Sequence, residues 1–211
     1  MSTTIEISTA LNHFKQVDPH LARLLQAART APTPVAVPQP KPTEQYFASI
    51  VSSIISQQIS IHAAAAVLSR VQALVGIITP TTILAHSPDD LRACGLSGQK
   101  VKYILHNAAI WDTVPITSFP TLHDEAIIIE LTKLYGIGRW TAEMFLMFSL
   151  ARPDVFSYGD LGLMNGLFMQ YPTIKSRHVR KIRTRVDSWS PHRTTAALVL
   201  WYYKDNGPVL L

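Results

Sequence analysis

The sequence predicts an all-α protein. Apolar residues recur at three- and four-residue spacing along most of the chain, Ser/Thr/Asp-Pro helix-start signals punctuate it, and no run shows the alternation of a half-buried strand. No simple internal repeat is visible. At 211 residues the chain is long enough for one sizeable core, or for two lobes sharing an interface.

Leu11, Phe14, Val17, Leu21, Leu24 and Leu25 lie at near-helical spacing between Ser8 and Arg29, and Asp18-Pro19 can start a second helix within that stretch. Residues 30–42 contain five prolines, which block helix and favour an extended crossing segment. Residues 1–42 are therefore expected to be N-terminal helices plus a crossing segment, and 43–211 the core. Thr43 opens an apolar helix through Tyr46, Phe47, Ile50, Val51, Ile54 and Ile55. It hands over at Ser56-Gln57-Gln58-Ile59-Ser60 to a helix from Ala63 to Leu74. Pro80 to Ala85 and Ser87-Pro88-Asp89-Asp90-Leu91 start two further helices, and Leu96-Ser97-Gly98-Gln99-Lys100 caps a third through Val101, Ile104, Leu105, Ala108 and Ala109. Val114-Pro115 and Phe119-Pro120 mark a connector. Thr121-x-x-Asp124 then begins a helical run that continues from Ala126 to Leu134 and stops at Gly136 and Gly138. A second apolar helix, Trp140 to Leu150, follows at once, so a helical hairpin is expected over about 123–150. Residues 152–159 read as a loop, Asp160-Leu161-Gly162-Leu163 enters another helix, and Lys175 to Arg185 reads as a basic, solvated helix face. Trp189-Ser190-Pro191 leads into the last helix, Thr194 to Tyr203.

The formal charge is +5 and the sequence pI about 9.4, which favours a polyanionic partner. A single cysteine, Cys94, excludes an internal disulfide framework and any four-cysteine zinc or iron–sulfur site. The apolar runs are interrupted before membrane-spanning length, and Met1 to Ala10 lacks the pattern of a signal peptide. An intracellular, reducing compartment is expected.

Chemistry is concentrated at Leu134-Tyr135-Gly136-Ile137-Gly138-Arg139-Trp140-Thr141-Ala142. Two glycines permit a tight turn with positive φ and close backbone approach, and the helix that follows presents unpaired N–H groups at the turn. Such a turn is a backbone phosphate site, or simply a tight αα-hairpin. No phosphate-binding lysine follows and no strand precedes, so neither the P-loop nor the dinucleotide fingerprint applies. Gly98 and Lys100, at another helix start, offer either a second phosphate contact or an ordinary cap. Asp160 lies 22 residues beyond Gly138 and by itself reads as an N-cap.

Taken together, Ser-Gln-Gln-Ile-Ser at 56–60, the glycine hairpin, and Asp-Leu-Gly-Leu at 160–163 resemble the helix-hairpin-helix DNA glycosylases, most closely their 3-methyladenine (alkylpurine) branch, from about Tyr46 to Lys204. The resemblance implies a two-lobed all-α fold with the active site in the cleft between lobes. It implies that amides around Gly136, Ile137, Gly138, Arg139, Trp140 and Thr141 grip phosphates, with Gln57, Gln58, Ser60, Gly98 and Lys100 as further DNA contacts. Asp160 matches the catalytic aspartate, and Trp140, Met144 and Trp201 match the base pocket. The carbonyls of Thr132, Leu134 and Ile137 match those that hold a monovalent cation, Na⁺ or K⁺; no cofactor is expected to be required. The implied partner is double-stranded DNA with alkylated or abasic lesions, and the compact length of the chain leads to the expectation of a monomer. It would reside in the nucleus if eukaryotic and in the cytoplasm or nucleoid if bacterial. Relatives that also nick the strand carry a lysine where this chain has Trp140, so monofunctional hydrolysis is expected here.

Four positions depart from the family pattern. Met164-Asn165-Gly166 stands where basic residues are usual, Met144 where an aromatic occurs, His192 in place of tryptophan in Pro-Trp-Arg, and Gln58 gives a polar residue at the position that enters the base stack. Three readings stay open on these residues: a hydrolase of alkylated purines, a damaged- or abasic-DNA binding protein with weak or no excision, and a DNA-binding scaffold without lesion specificity.

Overall fold

A computed structural model describes residues 2–206, and all regular structure among them is helical. The chain forms two compact units, one of Met1–Pro40 with Leu146–Leu211 and one of Lys41–Phe145. The chain leaves the first unit after Pro40 and re-enters it at Leu146. The N-terminal helices share a unit with the C-terminal third of the chain; they bury Phe14, Leu21, Leu24 and Leu25, and the buried carboxylate described below joins the two stretches.

Two helices, α1 (Ser2–Val17) and α2 (Pro19–Arg29), open the first unit. Asp18 caps α2 by accepting from the Leu21 N–H at 3.1 Å, and Pro19 takes the first helical position. The proline-rich stretch to Pro42 has no helix. Asp18 is 2% exposed, and its Oδ2 accepts from the Tyr171 hydroxyl at 2.7 Å, the Trp189 indole at 2.8 Å and Arg185 at 3.1 Å. A buried carboxylate is tolerable only with such compensation.

The second unit begins with a 3-10 turn, Thr43–Gln45, and α3 (Tyr46–Ser56), whose Ile50, Val51, Ile54 and Ile55 are buried on one side. It continues through α4 (Ile61–Val75), α5 (Pro80–Leu84), α6 (Pro88–Ala93) and α7 (Gly98–Ile110). Thr79 and Ser87 form capping boxes ahead of α5 and α6. Two 3-10 turns at 111–118 precede α8 (Asp124–Leu131), which differs from expectation at both ends. Thr121 does not cap it: the Thr121 hydroxyl donates to the Ser118 carbonyl, and His123 takes the cap position without a side-chain bond. The helix stops at Leu131 rather than Leu134, because the Thr132 hydroxyl bonds back to the Ile128 and Ile129 carbonyls while 132–137 turn toward Gly136.

From α9 (Arg139–Phe148) the chain returns to the first unit through the loop 149–159, α10 (Leu161–Gln170), α11 (Val179–Asp187) and α12 (Arg193–Asn206). Helices α10 and α12 cross at Gly166, where a Cβ would come within 2.5 Å of the Leu200 carbonyl oxygen. This explains the glycine in Met164-Asn165-Gly166. The Tyr203 hydroxyl donates to the Leu24 carbonyl at 2.9 Å and fastens α12 to α2.

Candidate functional site

In the second unit the hairpin turn rests on α7. Buried Asn107 grips the Tyr135 residue from both sides, its Nδ2 donating to the Tyr135 carbonyl at 2.9 Å and its Oδ1 accepting from the Tyr135 N–H at 2.8 Å. Gly136 has φ +77°, and a Cβ there would lie 2.4 Å from Tyr103 Cδ2, so the glycine is required twice over. The Gln57 side-chain amide donates to the Gly136 carbonyl at 2.8 Å. Gly138 differs: it does not use positive φ, and a Cβ there would meet nothing within 4 Å. Its side is open for something to approach the backbone.

Arg139 is a staple across the hairpin. Its guanidinium makes a two-pronged bond to Glu125, both contacts at 2.8 Å, and a third to Glu143 at 3.0 Å. The Arg139 bonds hold the Glu125 carboxyl below its usual range. Lys100, a candidate phosphate contact, donates from Nζ to the carbonyls of Ile55 at 2.8 Å and Gln57 at 2.7 Å, and burial lowers its pKa. Those are the last carbonyls of α3, which lack helical partners. Gly98, at the first position of α7, follows the Ser97 cap. Ser60 caps α4 by accepting from Ala63 at 3.2 Å.

Between the end of α3 and the start of α9 lies a cavity of about 430 Å³, lined by Ser52, Ser53, Ser56, Gln57, Gln58, Trp140, Thr141 and Met144. Trp140 is 46% exposed, and Gln58 is exposed with φ +58°, turning the chain sharply between α3 and α4. Ile137 and Thr141 are buried and anchor the hairpin.

The carbonyls of Thr132, Leu134 and Ile137 lie beyond the end of α8, in the turn. Leu134 accepts one bond there, from the Ile137 N–H at 3.2 Å. Neutral carbonyl oxygens are hard donors that suit an alkali cation rather than a soft metal. Among the described residues no His/Cys/Asp/Glu group could hold a metal ion.

In the first unit Asp160 caps α10. Its Oδ1 accepts from the Leu163 N–H and, at 3.1 Å, from the Trp201 indole N–H. Gly162 keeps this pair close, since a Cβ there would sit 3.2 Å from that oxygen. Trp201 lies 6.1 Å from the Phe148 ring. The loop that delivers Asp160 is fixed by the start of α12: Arg193 donates to both Asp154 oxygens at 2.8 and 2.9 Å, and Thr194 bridges the Arg152 carbonyl at 2.6 Å and the Val155 N–H at 3.0 Å. His192, one of the departures, packs against His13 and Phe14 of α1, at 5.5 and 6.3 Å between rings.

The structure thus gathers Gln57, Gln58, Trp140, Thr141 and Met144 around one cavity and joins Asp160 to Trp201. Sequence reasoning missed Asn107, Tyr103, Asp154 and Thr194. Asn107 in the middle of an apolar helical run was the one available signal.

The model of the HhH-GPD superfamily of base excision DNA repair proteins matches residues 51–192. The chain is a member of that superfamily. DNA-3-methyladenine glycosylase 1 of Schizosaccharomyces pombe is 30% identical over 206 residues, covering 93% of this chain and 89% of that protein. Among solved structures, a DNA-3-methyladenine glycosidase of Bacillus halodurans is similar with TM-score 0.76 and 35% identity, over 91% of this chain and 87% of the other. A 3-methyladenine DNA glycosylase of S. pombe in complex with abasic DNA has TM-score 0.77 and 28% identity, over 93% of this chain and 97% of the other. HhH-GPD membership accounts for the all-helical fold.

Proposed function

We propose that this HhH-GPD protein is a monofunctional DNA glycosylase that excises alkylated purines of the 3-methyladenine and 7-methylguanine type from duplex DNA. The observation that carries the reading is the Asp160 carboxylate, held by the Leu163 amide and the Trp201 indole in a chain that also carries the Asn107-braced hairpin. The open backbone at Gly138 and the start of α9 is suited to phosphate oxygens. The target nucleotide leaves the stack, because the glycosidic bond is out of reach inside it.

The bond from C1′ to the purine nitrogen breaks as positive charge grows on the sugar, and the Asp160 carboxylate stabilises that charge. Water adds its oxygen to C1′ and releases a proton, leaving an abasic sugar. The alkylated base starts out cationic and departs neutral, so no dedicated general acid is needed. Trp140 and Trp201 offer faces that attract a cationic base by roughly 0.5–2 kcal/mol each. A monovalent cation on the Thr132, Leu134 and Ile137 carbonyls would stiffen the turn beside the phosphates. In this reading the protein acts as a monomer, in the nucleus if it is eukaryotic and in the cytoplasm or nucleoid if it is bacterial.

A second reading, lesion binding without excision, is favoured by one observation: the cavity beside Trp140 is lined by non-aromatic Met144 and polar Gln58. Incubation with duplex DNA carrying methylated purines separates the two. Excision releases free base and leaves strands that break only on alkaline treatment; binding alone gives a stable complex and no free base. Strand breaks without alkali would overturn the monofunctional assignment.

A further inference from the structure

The six cations between Lys175 and Arg185 outnumber the net charge of +5 of the whole chain, so the positive character of the protein is concentrated in one segment. In the structure this segment is the loop before α11 and α11 itself. Ile182 and Val186 face inward, and Arg185 turns toward buried Asp18. Lys175, Arg177, Arg180, Lys181 and Arg183 are all exposed. Among the described residues, Lys175, Arg177, Arg180 and Lys181 make no ion pair, and Arg183 lies over the Tyr158 ring at 5.9 Å. The loop is ordered by a reciprocal turn, in which the His178 ring accepts from the Lys175 N–H at 3.1 Å and the His178 N–H donates to the Lys175 carbonyl at 2.8 Å.

This arrangement works against the helix that carries it. Arg180 and Lys181 occupy the first turn, at the positive end of the dipole, while Asp187 sits at the negative end. Arg180 with Arg183, and Lys181 with Arg185, set like charges three and four residues apart, where they repel. A helix built for stability alone would reverse this order. Beside it runs a groove of about 690 Å³ whose lining includes Thr173, Arg180, Lys181, Thr184, Arg185 and Ser188. Hydroxyls and guanidiniums in one groove are phosphate donors. Val179 is the only large apolar side chain of α11 that is exposed, whereas a protein partner needs an apolar centre.

We propose that the exposed face of α11, with the loop before it, is a second phosphate-backbone surface for duplex DNA, carried on the unit that does not hold the hairpin and indifferent to lesions. This rests on the DNA reading above. The test is an Arg180→Gln/Lys181→Gln variant of the full chain, which leaves Arg185 and its Asp18 contact untouched. Binding to an undamaged duplex is measured by fluorescence anisotropy over a salt series. The slope of log affinity against log salt should fall by about two, and affinity near 0.1 M salt by roughly tenfold or more. The single-turnover base-release rate at saturating damaged DNA should be unchanged, and the melting temperature should not drop, since like-charge repulsion has been removed. Duplex affinity and salt slope equal to wild type would overturn the proposal. Base release by the wild type in the same experiments reports on the glycosylase reading separately, so the two can fail independently.

Discussion

Asn107, Gly136 and Gly138 show how much single residues decide here. Asn107→Leu leaves the Tyr135 amide groups without their buried partner, and stability to urea should fall by about 1–3 kcal/mol. Gly136→Ala forces a left-handed residue and a clash with Tyr103, at a cost of about 2 kcal/mol or more. Gly138→Ala should behave in the opposite way. Its Cβ meets nothing in the protein, so stability should change by no more than about 0.5 kcal/mol. If that open backbone receives a phosphate, duplex affinity should nonetheless fall by about 1.5–3 kcal/mol, the value of a charge-assisted hydrogen bond. A Gly138→Ala protein that is both stable and fully able to bind DNA would remove the hairpin from the proposed interface.

At the scale of elements, the delivery of Asp160 depends on α12 holding the loop before α10. Burial would raise the Asp154 pKa, but bonds from Arg193 and Ser190 outweigh it and hold this carboxyl below the ordinary range. A folded-state pKa below the unfolded one means that the stabilisation is fully present above the unfolded value, near about 4, and is lost as pH falls through the folded value. Stability measured by urea denaturation should therefore fall more steeply below about pH 5 in the wild type than in Asp154→Asn. Most helices were legible in the sequence, because apolar spacing and caps such as Asp18, Thr79, Ser87, Ser97 and Asp160 are local signals. The end of α8 was not, because Thr132 turns the chain through a bond to its own preceding turn and the apolar pattern runs on to Leu134. The seat of the Lys100 ammonium was not legible for a related reason. Sequence shows a cation at a helix start, but not the carbonyls of Ile55 and Gln57 that occupy it.

For the whole molecule, the chain builds part of one unit, leaves to form the other, and returns. Sequence separation hid this closure, since Asp18 meets Tyr171, Arg185 and Trp189 across more than 150 residues and only its capping role is local. Asp18→Asn breaks a buried, multiply bonded carboxylate and should cost about 3–5 kcal/mol in urea denaturation. The candidate site was legible as a set of motifs, and its bracing by Asn107, Tyr103 and Thr194 was not. The most direct test of the central claim is release of free base from duplex DNA containing methylated purines, under single-turnover conditions, by the wild type and by Asp160→Asn. The account predicts release by the wild type and a rate at least about 100-fold lower in the variant, in keeping with the loss of one preorganised electrostatic group, with duplex binding retained. Equal rates in the two proteins, or no release by the wild type despite tight binding to the lesion, would contradict it.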